Sequence, residues 1–303
     1  MKLVYFRGEI PNFGDELNVT MWDNLLPGGF LDDDPAELFI GIGSIINDDY
    51  PKTARKIVVG AGYGGYTPKP DVHDGSWDFR FVRGPQTAEA LGIEPDLAIA
   101  DSAVLLRATP LPPPASGIDI GFIPHFESLE RGHWPEVCRL AGVRLIDPTK
   151  PTDEVIAEIR GARLLITEAM HGAIVADALR TPWIAVRTMH SLHRYKWFDW
   201  ARSLDIDYRP AFLFPSNGRE AWAAATGRSG SGPRARRLLA GRGALPLNAA
   251  IHHVAARSIQ KLARRDPQLS SDAAIERATD LALSAVDRLV KQRRAAQPVP
   301  VRI

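Results

Sequence analysis

The sequence predicts an α/β protein of two parallel-sheet domains followed by a helical extension. Three observations predict it. From residue 2 to residue 214, apolar strand-like runs alternate with segments of helical periodicity, the rhythm of parallel sheets wound on both faces. A proline-rich stretch, "ATPLPPPASG" at 108–117, breaks that rhythm once and reads as a domain linker. From Ser216 the strand signals stop and two long amphipathic segments follow. The expected organisation is a Rossmann-like, doubly wound domain over 1–110, a second over 118–215 and a basic helical extension over 216–303.

Each element has a local reason. "KLVYF" is the first strand, and the helical "DELNVTMWDNLL" follows its loop. "ELFIGIGSII" and "KIVVGAG" are strands ending in glycines. "DFRFVRG" is a strand that runs into the helix "PQTAEALG", whose proline suits a first helical turn. "DLAIADSAVLL" closes this half. The second half repeats the pattern: "DIGFIPHF" strand, "WPEVCRLAG" helix, "VRLIDP" strand, "TDEVIAEIRGA" helix. Leu164-Leu165-Ile166 is a buried strand, and apolar Ile174, Val175, Ala178 and Leu179 mark the helix after it. "TPWIAV" is a strand and "HRYKWFDWARSL" an amphipathic helix. In the extension, "GRSGSGPRARR" reads as flexible. "PLNAAIHHVAARSIQKLARR" and "SDAAIERATDLALSAVDRLVKQRR" read as helices with an apolar stripe beside arginines.

Composition narrows the function classes. An apolar fraction of 45% and a charged fraction of 24% describe a soluble globular chain, expected in the cytoplasm. No apolar run has the length of a membrane span, and "MKLVYFRGEIPNFGDE" turns acidic too early for a secretory signal. One cysteine, Cys138, excludes an intramolecular disulfide and is expected on the apolar face of a short helix. The net charge of +1 hides an asymmetry. From Pro215 onward there are 16 Lys and Arg against 6 Asp and Glu, and before it 21 against 30. A basic tail on an acidic body points to an anionic partner: its two amphipathic helices either lie on the inner leaflet of an anionic membrane or extend over the body, or the tail mediates self-association. Nothing points to nucleic acid.

Candidate site residues gather where strands give way to helices, the carboxyl end of a parallel sheet. His171 follows such a strand directly, and the helix starting near Gly172 would offer free N–H groups and a positive dipole end to an anion. Gly172 would leave room for that approach. In "NFGDEL", Asp15 is either the cap of the helix or a carboxylate facing a cleft, with Asn12 beside it. Arg83 ends a strand before Gly84-Pro85, His125 ends another, and Lys196 sits among aromatics in "RYKWFDW". Trp22, Tyr63, Tyr66 and Trp77 are aromatic faces able to pack or to stack on a sugar. "GAGYGG" follows a strand, but the prolines of "YTPKPD" forbid the helix of a dinucleotide site. The glycines of "GIGS" either make a tight turn or admit a ligand to the backbone. No His, Cys or carboxylate set has metal spacing. His190 with His193 and the adjacent His252-His253 lack a third ligand, and no metal is expected.

"NFGDELN", "GIGSII", "VVGAGYGG", "FVRGPQTAEALG", "ADSAVLL", "GFIPHFES" and "ITEAMHGAIVADALRTPWIAV" occur in this order. Together they make residues 1–213 resemble the polysaccharide pyruvyl transferase family, in particular its bacterial exopolysaccharide ketal-pyruvate transferases. Where that family usually shows Ser-x-Arg-Leu/Met-His-Gly, this chain has Thr167-Glu168-Ala169-Met170-His171-Gly172, with alanine in the arginine's place. The resemblance implies a GT-B-like pair of domains and phosphoenolpyruvate as co-substrate, with no further cofactor. The acceptor it implies is a sugar of a lipid-linked exopolysaccharide repeat unit, met at the inner face of the membrane. The product would be a pyruvate ketal, with release of phosphate. Arg83, His171 and Lys196 match donor-site positions of the family, and Gly172 joins them at the helix start. His171 is the expected acid or phosphate partner, because a histidine titrates near working pH. Asp15 is the expected base and Glu168 a reserve. Asn12, Asp15, Tyr63 and His125 are expected on the acceptor side. Two other readings compete: a sugar-nucleotide glycosyltransferase, for which the second domain lacks a Glu-x7-Glu arrangement, and a non-catalytic glycan-binding relative, motivated by Ala169.

Overall fold

The computed structural model describes residues 1–187, 194–226 and 245–296. "GRSGSGPRARR", His190 and His193 lie outside the described residues. Eight described strands form two parallel sheets of four. The first contains β1 (Lys2–Val4), β2 (Glu37–Ile40), β3 (Arg55–Val59) and β4 (Trp77–Phe81), in the order β1-β2-β3-β4. The second contains β5 (Ile118–Ile123), β6 (Arg144–Leu145), β7 (Ala162–Thr167) and β8 (Trp183–Ala185), in the order β6-β5-β7-β8. Pairing is parallel throughout. The chain therefore reverses its direction of winding only in the second sheet, between β5 and β7. The first sheet advances one way, unlike the doubly wound sheet expected there. After β4 its next position holds only the Val82–Ala98 bridge. "DLAIADSAVLL" forms two 3-10 segments, Pro95–Leu97 and Ser102–Ala108, because Pro95 starts one and the Asp101 carboxylate caps the other.

The helices follow the sequence pattern closely. α1 (Phe13–Leu25) is capped by Asn12, whose side chain accepts from the Gly14 N–H. α2 (Pro85–Leu91) has its proline in the first turn and ends on Gly92 at φ 66°, the left-handed conformation glycine favours. α3 (Phe126–Arg131), α4 (Trp134–Ala141), α5 (Thr152–Gly161), α6 (Met170–Ala178) and α7 (Arg194–Ser203) connect or flank the second sheet, and α8 (Gly218–Thr226) follows. Cys138 is buried on α4, as its spacing predicts, and burial pushes its thiol up to about 12.

The two C-terminal helices, α9 (Leu245–Leu262) and α10 (Asp272–Ala296), pack on the body. α9 buries Ala255, Ala256, Ile259 and Leu262 against Phe122, Trp134 and Val137. α10 buries Ile275, Ala278, Ala282, Ala285, Val286 and Leu289 in a core that also holds Phe39 of β2, Leu105 and Val175 of α6. One end of α10 meets the second half, where Arg180 pairs with Asp272 at 2.9 Å. The other meets the first sheet, where Arg80 donates to Gln292 at 2.5 Å and Arg293 pairs with Glu37. Of the placements expected for the two helices, the structure shows the one over the body: the buried apolar stripes are used to bridge it. Among the described residues no helix is long and apolar enough to cross a membrane.

Candidate active site

The reversal between β5 and β7 makes a crevice at their carboxyl ends, where open α/β sheets bind ligands. A cavity of about 260 Å³ occupies it. Asn12, Asp15, Ser44 and Tyr66 line it from the first half, and His125, Met170 and His171 from the second, with Lys196 of α7. Each lining residue of the first half follows the end of β1, β2 or β3, so the carboxyl ends of both sheets face one space. The structure thus brings Asn12, Asp15, His125, His171 and Lys196 together. It leaves Arg83, Tyr63 and Gly172 outside the cavity lining.

Asp15 is not the cap of α1. Asn12 takes that place, and its amide also donates to Asp15 Oδ2 at 2.8 Å. Asp15, one turn in, faces the cavity. Burial pushes its carboxyl up to about 6, against the Asn12 bond and the Lys196 charge. Lys196 is pushed down to about 8 by burial and by the nearby Arg83. His171 is one residue into α6, whose N-cap Ala169 supplies no side-chain bond. Burial, then Lys196 and Arg83, push His171 down to about 3. The ring is neutral near pH 7, which corrects the expectation of titration near working pH: the cations that would hold an anion also repel a proton.

The imidazole rests on the α1 backbone. A Cβ at Gly14 would lie 2.2 Å from His171 Nδ1 and 2.6 Å from its Cβ. Gly172 does not open a path for a ligand, because a Cβ there would lie 2.5 Å from Thr167 Oγ1, so its small size serves contact with β7.

Arg83 departs most from expectation. It is fully buried, and its guanidinium is engaged by the protein itself. Nε donates to Asp199 Oδ2 at 3.0 Å, one terminal nitrogen to Ser44 Oγ at 2.6 Å and the other to the Tyr63 carbonyl at 3.0 Å. Asp199 of α7 also accepts from the Thr87 N–H at 2.9 Å and its hydroxyl at 2.6 Å. Arg83 reaches the cavity only through Ser44. Tyr63 is tied back as well, its hydroxyl donating to the Thr67 carbonyl at 2.7 Å, and Tyr66 takes the lining place instead. Trp22 is fully buried and donates to Asn18, so it packs rather than presenting a face. Trp77 stacks on Phe79 at the amino end of β4, away from the cavity. Glu168 is buried, as expected of a residue ending a strand, and accepts from the His125 N–H at 3.0 Å.

The glycines of "GIGS" and "GAGYGG" admit the protein's own side chains. A Cβ at Gly41 would lie 2.5 Å from Asn18 Oδ1, and at Gly62 2.2 Å from the Arg83 guanidinium carbon. Asn18 ties α1 to the end of β2, accepting from the Ile42 N–H at 2.8 Å and donating to the Ile42 carbonyl at 3.0 Å. Sequence reasoning missed Asn18, Asp199 and Asp101. Only Asp101 carried a signal, as the acidic residue before the turn in "ADSAVLL". Among the described residues no three His, Cys, Asp or Glu side chains gather as a metal site. His252 pairs with His133 at 3.0 Å.

Comparison with known proteins agrees with the motifs. Residues 12–190, which include most of the cavity lining, match the family described as polysaccharide pyruvyl transferase. The succinoglycan biosynthesis protein ExoV of Rhizobium meliloti (strain 1021) is 44% identical over 213 residues, covering 69% of this chain and 67% of that protein. The family match ends at residue 190, before the two helices that bridge the body. The chain belongs to the polysaccharide pyruvyl transferase family and is a transferase enzyme of that family.

Proposed function

We propose that the enzyme transfers the pyruvyl group of phosphoenolpyruvate to two hydroxyls of one sugar in a lipid-linked exopolysaccharide repeat unit. The single observation that carries this reading is the cavity at the reversal point. It places a lysine, a histidine and a carboxylate of raised pKa around a volume suited to a small dianion and a sugar edge. The methylene carbon of the donor gains a proton, and its central carbon forms two C–O bonds to the sugar. The C–O bond to phosphate breaks. Of the two hydroxyl protons, one balances the new methyl group and the other leaves with phosphate. No step changes the oxidation level of the molecule as a whole, so phosphoenolpyruvate is a co-substrate and no redox cofactor is called for.

Lys196 neutralises one anionic group of the donor. The uncapped start of α6, with the Met170 and His171 N–H groups, receives another. Arg83 supports the site from behind Ser44. Asp15, ionised at neutral pH but more basic than an ordinary aspartate, takes the proton of the attacking hydroxyl. Burial is the chief cause of the low His171 pKa; a bound dianion offsets the added repulsion from Lys196 and Arg83 and draws a proton toward the ring as the donor settles. His171 then serves the methylene carbon or the departing phosphate. Asn12, His125 and Tyr66 border the acceptor. We read 1–110 as the acceptor-side domain and 118–215 as the donor-side domain of a GT-B-like pair, with 216–303 as the bridging extension. Work at the inner face of a membrane would use the tail's surface charge, not inserted helices.

The test is phosphate release from phosphoenolpyruvate in the presence of extracted lipid-linked repeat units. Release with this donor supports the reading. UDP release from a UDP-sugar, with none from phosphoenolpyruvate, replaces it with a glycosyltransferase. His171→Gln is expected to lower turnover by at least about 100-fold with an unchanged fold. Near-normal turnover in that variant removes His171 from the mechanism.

A further inference from the structure

Asp101 and His171 face each other with their bonding capacity unspent. Asp101 caps the 3-10 segment Ser102–Ala108, and its Oδ1 accepts from the Ala103 N–H at 3.0 Å. Its Oδ2 is buried and has no partner. His171 Nε2 is also buried without a partner, and the two atoms lie 3.9 Å apart. An unsatisfied buried polar group is costly, so natural structures hold few of them. Two of complementary kind, one from each half of the molecule and aimed at each other beside a cavity, form a pair held open by about 1 Å relative to a charge-assisted bond. Such bonds are commonly long in ligand-free sites and tighten in the reacting complex.

We infer that Asp101 is the positioning residue for His171: it keeps the imidazole in the Nε2–H form and bonds to that proton when the ring is charged. A neutral imidazole carries one N–H, and the nitrogen opposite a carboxylate is the one that keeps it. Nδ1, packed beside Gly14 of α1, then carries the lone pair. The charges around the pair fit. His171 faces the cations Lys196 and Arg83, and Asp101 faces Arg83 with Asp199 and Asp15. Asp101 is pushed up to about 6, chiefly by burial, and is a carboxylate at neutral pH. Burial is the chief reason the ring is neutral, and an anion settling beside Lys196 offsets the repulsion that adds to it; a ring that then takes up a proton closes on Asp101. The identity of that anion rests on the function proposed above. The pairing of Asp101 with His171 does not.

Asp101→Asn isolates the effect. Asparagine caps as well as aspartate, so the 3-10 segment is kept. The Ala103 N–H needs an acceptor, which fixes the amide oxygen at the Oδ1 place and turns the NH2 toward His171. Nε2 must then accept, and the proton moves to Nδ1. Imidazole 15N NMR of the full-length protein without ligand, with His171 assigned through His171→Gln, reads this directly. The wild type is expected as the Nε2–H tautomer and Asp101→Asn as Nδ1–H. Turnover of phosphoenolpyruvate should fall about 100-fold with KM changed less than about threefold, the mark of a group acting after binding. The same tautomer in both proteins overturns the inference whatever the activity. Unchanged turnover alongside a switched tautomer overturns the role in catalysis. If the wild type releases no phosphate from phosphoenolpyruvate, the donor reading fails, and the tautomer comparison still decides the pair.

Discussion

At Gly14 the lack of a side chain decides where His171 can sit. A methyl group there would press on the Nδ1, Cγ and Cβ atoms of the imidazole, none of which is the free end of a flexible chain. Gly14→Ala is therefore expected to displace His171 or tilt α1 and to cut turnover by about 100-fold or more. The loss of stability should be smaller than such a clash suggests, because alanine is the better helix former by about 1 kcal/mol. Phosphate-release kinetics beside a thermal melt separate the two effects. Asp15 makes a prediction with a definite sign. Its folded pKa of about 6 lies above the ordinary 3.8, so the stability it contributes is full below pH 3.8 and is lost as pH rises through 6. Asp15→Asn should raise stability above pH 6 by roughly 2 kcal/mol, discounted for solvent at the cavity edge, and change it little near pH 4. Melts at the two pH values check this, and a stabilised, inactive variant is the expected result.

Among the elements, α2 and α7 are locked together by one carboxylate. Asp199 takes three donors, from Arg83 and from the Thr87 backbone and hydroxyl, all buried. Removing one partner of such a pair strands a charge, so Asp199→Ala is expected to cost about 3–5 kcal/mol in urea unfolding and to loosen the helix that carries Lys196. The elements themselves were legible because their signals are local: Pro85 opening α2, Gly92 closing it, and the apolar positions that turn Leu164–Ile166 into α6. The cavity was legible too, as the place where His171, His125 and Asp15 each follow a strand. What stayed hidden is the choice of partner. Arg83 lies 116 residues before Asp199, and nothing near either one says that the guanidinium would serve the fold before a ligand. Separation along the chain likewise hid the contacts of Gly14 with His171 and of Asn18 with Ile42. The direction of the His171 titration was hidden as well, since it depends first on burial between the two halves and then on cations brought in by the first half and by α7.

At the scale of the whole molecule, one core runs through both halves. It joins Leu17 and Trp22 of α1, Ile156 and Ile159 of α5, and Ile275 and Leu289 of α10. The apolar stripes of the tail were plain in the sequence, but a stripe that fits a bilayer and one that fits a protein body read alike. Their docking on Phe122, Trp134 and Leu105 comes from the fold alone. Cutting the chain after Pro215 should therefore uncover the core rather than free a membrane anchor. A 1–215 fragment is expected to bind a hydrophobic dye and to lose the cooperative melt of the full chain. A fragment that melts cooperatively at the same temperature would show that the helices are ornaments on a complete body.

The bridging helix also bears on how the protein comes into being. α10, with 25 residues, is about 37 Å long. It packs on the 3-10 segment Ser102–Ala108 and on β4 of the sheet whose first strand begins at Lys2. A ribosome delivers that strand almost three hundred residues before the end of the helix that seals it. At about 5–20 residues per second, the apolar wall of the first sheet stands open for tens of seconds during synthesis. The first sheet of such a nascent chain closes only once α10 has left the ribosome, and its apolar wall is open to other chains until then.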